Sequence, residues 1–184
     1  MIEQSKIKYL NHVKHFEEDR LKNLSVEEFG LISEWYYFVI LEMFNLNEFK
    51  FDFTWIACRL NISVAKVENA IIKLESVGLI KRDENGLLMP VDEFFSIEDC
   101  NYSSQAMRDR QKKILNMSIN SIDEYEKTQR DHSSITLAVD KKLLPEIKNK
   151  IKKFRRSLGN YIAKNSEEAD EVYEIQISFF PLLV

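Results

Sequence analysis

Residues 60–86, LNISVAKVENAIIKLESVGLIKRDENG, constrain the fold more than any other part of the chain. The preceding FTWIACRL reads as a short helix, and NIS makes a turn in which Ser63 is placed to cap a second helix running to about Val77. Gly78 supplies a C-terminal stop. LIKRD and LLMPV then flank Asn85-Gly86, a strong tight-turn signal for a β-hairpin. Helix, turn, helix, hairpin is the order of a winged helix-turn-helix. Val67, Ala70, Ile71, Leu74 and Val77 recur at helical spacing, which makes them the inward face of the second helix.

The surrounding sequence predicts further helices. Residues 6–22 read as a charged, weakly amphipathic helix, and SVEE gives Ser25 and Glu28 the spacing of a capping box. Phe29, Ile32, Trp35, Tyr36, Val39, Ile40 and Met43 then repeat at three- and four-residue intervals, predicting one continuous helix with a buried face. SSQAMRDRQKKILNMSINSI predicts another, with Met107, Ile114, Leu115, Met117 and Ile122 on its apolar side. Beyond it the period falls to two. Ile135, Leu137 and Val139 alternate with polar or small residues, as do Tyr173, Ile175, Ile177 and Phe179, so both stretches read as half-buried strands.

Between these strands lies a long helix with Leu143, Leu144, Ile147, Ile151, Phe154, Leu158, Tyr161 and Ile162 on one side, expected to cover the strands. Its start is open: Asp140 as cap, or Pro145 in the first turn. The fold class expected is thus α+β, mainly helical, with a winged helix-turn-helix followed by a C-terminal half-ferredoxin-like β-α-β unit. Two parallel strands make a poor sheet, since parallel sheets are normally covered on both faces. Either strands from a second copy interleave into a four-stranded sheet, giving a homodimer, or another strand of the same chain completes it. The divisions expected are residues 1–24 as a helical segment, 25–100 as the winged-helix domain, and 101–184 as a dimerisation or regulatory domain.

Composition narrows the function. Four glycines and three prolines in 184 residues leave little room for phosphate-binding loops. No run of 18 apolar residues is present, so no membrane span is expected. The first 25 residues lack the apolar core of a cleavable signal. Cys58 and Cys100 are isolated, which fits a reducing cytoplasm rather than a disulfide or zinc framework. The net charge of −4 is unevenly spread: −7 over residues 1–107, +7 over 108–156 and −4 over 157–184. The winged-helix stretch therefore sits in the acidic part of the chain.

LISEWYYFVILEMF, FTWIACRLNIS, LESVGLIKRDENG, SSITLAV and the terminal ISFFPL together resemble an uncharacterised family of bacterial proteins from predatory and cellulolytic species. The resemblance covers residues 25–184 in order. It implies a domain of unknown function that usually follows a lambda-repressor-like helix-turn-helix and is regarded as transcriptional-regulator-like, with no enzymatic activity and no established functional residues to carry over. The upstream helix-turn-helix is missing here, so the resemblance implies either a short member or the C-terminal part of a longer protein.

Two basic surfaces are candidates for nucleic acid. On the second helix of the motif, Lys66 and Lys73 run down one edge, Asn69 is suited to an adenine edge and Ile72 to a thymine methyl; Lys81 and Arg82 at the base of the wing are placed for phosphates. Against this, Glu68 and Glu75 line the opposite edge, and residues 59–84 hold five bases against four acids, a poor balance for phosphate neutralisation. The competing reading is a protein-docking module with Ile72 in the contact. The second surface is Lys148, Lys150, Lys152, Lys153, Arg155 and Arg156 on the long helix, which reads either as a solvated face or as a phosphate-contacting one.

His12 and His15 stand three apart with Glu17 and Glu18 nearby, a spacing more often found on an exposed polar face than in a metal site. Cys58 is expected to be a small packing residue. GxSxG, HExxH, P-loop and GxGxxG patterns are absent, so neither an enzyme nor a cofactor is expected. The expectation is a cytoplasmic transcription regulator that binds DNA or modulates a DNA-bound complex, with itself or another regulatory protein as partner. The rival is a non-enzymatic adaptor that kept a winged helix without DNA affinity.

Overall fold

The computed structural model describes residues 25–91 and 105–183; the expected helix over 6–22, with His12 and His15, and Cys100 lie outside these residues. The described chain is α+β and mainly helical, with one two-stranded sheet. It begins with the capping box: Ser25 Oγ accepts from the Glu28 amide at 3.1 Å, and the Glu28 carboxylate accepts from the Ser25 amide at 2.8 Å. The helix so started, α1 (Val26–Leu31), stops at Ile32, and α2 (Tyr36–Met43) begins after a bend. The single helix expected here is two. Gly30 weakens the run, and Ser33 Oγ donates to the Gly30 carbonyl, a side-chain bond that competes with helical continuation. Ile32, Tyr36, Ile40 and Met43 are nonetheless buried in one cluster, Phe29 is buried and stacks with Phe38, and Trp35 and Val39 are half-buried, so the apolar spacing marked the inward side across the break.

Asp52 caps α3 (Phe53–Leu60) through the Trp55 amide at 2.8 Å. Asn61 ends it in the left-handed region at φ 50°, and Ser63 caps α4 (Val64–Ser76). Val67, Ala70, Ile71 and Leu74 face the core as expected. Gly78, at φ 71°, lets the chain reverse into β1 (Ile80–Arg82), which pairs antiparallel with β2 (Leu88–Pro90) in the register Ile80 to Pro90, Lys81 to Met89 and Arg82 to Leu88. The turn is organised by Asp83, whose carboxylate accepts from the amides of Asn85 at 2.9 Å and Leu87 at 2.8 Å, while Gly86 takes φ 78°.

The core lies among Ile32, α2 to α4 and the hairpin. Phe44, Phe49, Phe51, Phe53 and Trp55 extend it as a run of ring contacts along the connection into α3. Helix α5 (Gln105–Glu124) docks through Ile114, the Lys113–Glu34 ion pair at 2.7 Å and the Arg110 guanidinium 5.0 Å from the Phe38 ring centroid. Asp140 caps a 3₁₀ turn (Lys141–Leu143) that runs into α6 (Leu144–Asn165), with Pro145 in its first turn, so both candidate start signals are used.

The helix of the expected β-α-β unit is present; its strands are not. Residues 134–139 and 172–180 form no ladder with each other or with the hairpin among the described residues. Nor does α6 cover them as expected, because it buries no residue fully. Period-two spacing licenses a strand only if a neighbour stands within hydrogen-bonding distance, and one chain supplies none here.

Candidate nucleic-acid interface

Helix α4 is held by its inner face and presents the other. Leu74 is 0 % exposed and Ile72, two residues away, is 65 % exposed. Asn69 and Lys66 are exposed on the outer side, with Lys73 half-buried at the edge. These three line an open groove of about 360 Å³ whose other wall is the α1–α2 corner, with Leu31, Glu34, Tyr36 and Tyr37. The structure therefore gathers Lys66, Asn69 and Lys73 along one concave edge.

Charges in the groove are partly settled by contacts the sequence did not reveal. Both Glu34 carboxylate oxygens accept from Lys113 Nζ at 2.7 Å, so the acid on the groove wall is neutralised by a base from α5. Lys73 Nζ lies 6.0 Å from the Tyr37 ring centroid, and Tyr36 and Tyr37 stack at 5.0 Å. Burial pushes both tyrosine hydroxyls above the ordinary phenol range, so they remain neutral groups.

The basic pair on the hairpin is divided. Lys81 is exposed on β1. Arg82 is held: its Nε donates to Glu75 Oε1 at 3.0 Å, its Nη2 to Glu75 Oε2 at 3.4 Å and its Nη1 to the Gly86 carbonyl at 3.3 Å. The guanidinium expected from sequence at phosphates fastens the hairpin turn to α4, and it cancels one of the two acids on the far edge of that helix. Glu68 remains exposed.

The second basic surface lies on α6. Lys148, Lys153 and Arg155 are exposed and Lys152 and Arg156 are half-buried, while Lys150 pairs with Glu146 one turn earlier at 3.5 Å. Cys58 is exposed rather than packed, because it occupies the outer side of α3 beside the buried Ala57. No group of three or more metal-ligating side chains occurs among the described residues, and no described helix is long and apolar enough to cross a membrane.

Sequence reasoning also missed the return of the C-terminal segment onto the helical core. The Asn47 amide donates to the Ala169 carbonyl at 2.9 Å, Arg59 pairs with Glu171 at 3.3 Å, and Ala169 and Val172 pack against the core. The small apolar pair Ala169 and Val172 within an acidic stretch was the one available signal.

By its match to the family model over residues 14–182, the chain belongs to the family described as Domain of unknown function (DUF4423). No curated protein and no solved structure matches the chain.

Proposed function

We propose that this member of the DUF4423 family is a transcription regulator in which α3, α4 and the hairpin act as a winged helix and α4 contacts duplex DNA. The observation that carries the reading is the arrangement around α4. Its outer side offers Lys66, Asn69 and Ile72 with Lys73 at the edge, and the opposing acid Glu75 is bound by Arg82. A helix entering the major groove needs amide and apolar groups for base edges and bases for the flanking phosphates, and this face holds both. Lys81 on the wing is placed for the adjoining backbone. The basic side of α6, with Lys148, Lys153 and Arg155, is a second source of phosphate contacts.

The test is retention of a random duplex at low ionic strength, titrated with salt. Several phosphate contacts give a steep loss of affinity with rising salt, about one power of salt concentration per contact. A flat response, or no retention at low salt, sinks the reading. Glu75→Gln provides an orthogonal check. It removes a negative charge and releases Arg82, so duplex affinity should rise, while an exposed ion pair of this kind costs at most about 1 kcal/mol of stability. An unchanged or reduced affinity would show that this edge of α4 does not face phosphates.

One observation favours a second reading. Ile72 is a large apolar side chain exposed at the centre of the outer face, which also suits an adaptor docking on another protein. The salt titration separates the two, because an adaptor retains no duplex.

A further inference from the structure

Apolar residues are partitioned along this chain in a way that one copy does not explain. Among the described residues, every buried hydrophobic except Ile114 lies between Phe29 and Leu88. Most exposed large hydrophobics lie beyond residue 114, on α5, on α6 and in the two unpaired stretches. Soluble monomers rarely leave so much apolar surface on one region.

The segment 172–180 shows how one face is left over. Val172 packs on the core, Glu174 lies 4.0 Å from Arg110, and the Gln176 side-chain nitrogen is buried. The alternate residues Tyr173, Ile175, Ile177 and Phe179 are all exposed. Side chains alternate between faces at period two, so the even-numbered row is anchored to the body over residues 172–176 while the odd-numbered row is open. Neither this stretch nor 134–139, with Ile135 at 79 % exposure, makes a backbone–backbone hydrogen bond among the described residues. On α6 the apolar side carries Phe154, Tyr161 and Ile162, also exposed.

We infer that a second copy of this chain covers this surface. Its 172–180 stretch would pair edge to edge and seat the odd-numbered row against α6, completing the sheet that one chain leaves unbuilt. Three arguments select a second copy over another partner. The unpaired backbone and the apolar helix face occur on the same chain, so a two-fold pairing satisfies both at once. The exposed charges are self-complementary: α6 exposes Lys148, Lys153 and Lys164, and the segment after it exposes Glu167, Glu168 and Asp170, so each copy supplies the opposite of what its partner presents. The area also suffices. At about 150–250 Å² for a fully buried aromatic, the exposed fractions of Phe154, Tyr161, Tyr173 and Phe179 offer on the order of 450 Å². With the aliphatic neighbours this approaches the roughly 800 Å² per partner of a stable interface.

The inference is independent of DNA binding and is tested without it. Sedimentation equilibrium of the full chain at micromolar concentration should give twice the 21.8 kDa of one copy. Ile175→Glu with Ile177→Glu should weaken self-association at least 100-fold and give single chains at the same concentration, with the far-ultraviolet helical signal retained. Should that variant fail to fold, Ile175→Ala with Ile177→Ala should still weaken association by 10-fold or more. Phe154→Glu on α6 should act in the same direction. A dimer insensitive to these substitutions overturns the inference. So does a single-chain mass, whether hydroxyl-radical labelling finds Tyr173 and Phe179 protected (the chain's own residues cover them) or open (a different partner does). Lys66→Glu with Lys73→Glu should leave the dimer intact, so failure of the DNA reading remains a separate result.

Discussion

Lys66→Glu combined with Lys73→Glu is expected to abolish retention of duplex DNA at low ionic strength while leaving the melting temperature nearly unchanged. Lys66 is exposed and Lys73 is half-buried at the edge of α4, and neither is part of the hydrophobic core. Lys73 Nζ lies 6.0 Å from the Tyr37 ring centroid, a contact worth about 0.5–1 kcal/mol at an exposed site. The stability change should therefore stay near 1 kcal/mol or below. The effect on binding is larger. Each lysine–phosphate contact adds about 0.9 to the salt slope, so losing two flattens it by roughly two units.

Reversal goes further than loss, since two carboxylates then face the phosphates beside Glu68. Residues 59–84 hold five bases against four acids, and the double variant leaves three against six, which is net repulsive. The pair Lys66→Gln with Lys73→Gln should lie between the two, with the flattened slope and residual binding. Duplex retention unaffected by the double reversal would move the nucleic-acid surface to α6, where Lys148, Lys153 and Arg155 become the next positions to reverse.

What was legible in the sequence follows from how local each signal is. The capping box at Ser25 and Glu28, the Ser63 cap, the inward set Val67, Ala70, Ile71 and Leu74, and the Gly78 stop each depend on residues within one or two turns, and all stand in the structure. The break between α1 and α2 was hidden because the apolar spacing continues through it; Gly30 and Ser33 mattered more than periodicity at that point. The turn at 83–87 was read from Asn85-Gly86, but the carboxylate of Asp83 holds it.

Distance in sequence hid the rest. Glu34 meets Lys113 across 79 positions and Arg59 meets Glu171 across 112, and no spacing rule anticipates such pairs. Arg82 looked available because its partner Glu75 lies seven residues back, around the reversal at Gly78. The C-terminal strands were read from alternation alone, which reports two-faced character but not the neighbour that a ladder requires. That residual pattern, kept in sequence and unused in one chain, is the ground for a partner.

Leu74→Ala and Ile72→Ala make a paired measurement on the orientation of α4, with a large expected stability effect for the first and almost none for the second. Leu74 is 0 % exposed in the core between α4 and the neighbouring helices, and truncating a fully buried leucine costs about 2–5 kcal/mol through lost transfer energy and the cavity left behind. For a chain of 184 residues each kcal/mol shifts the melting temperature by about 2–4 °C, so Leu74→Ala should lower it by roughly 4–20 °C. Ile72 lies on the same helix, 200° around from Leu74 at 100° per residue, and exposes most of its side chain. Its truncation removes little buried area and replaces a β-branched residue with the best helix former, so stability should stay within about 0.5 kcal/mol.

Function is expected to reverse that order. Ile72→Ala should weaken duplex binding, or partner capture if the surface docks protein, with no change in melting. Leu74→Ala should bind normally at temperatures where it is folded, because its side chain never reaches the outer face. Equal melting losses for the two variants would mean that α4 is rotated from the orientation described here. The assignment of Lys66, Asn69 and Lys73 to one exposed edge would then fail with it.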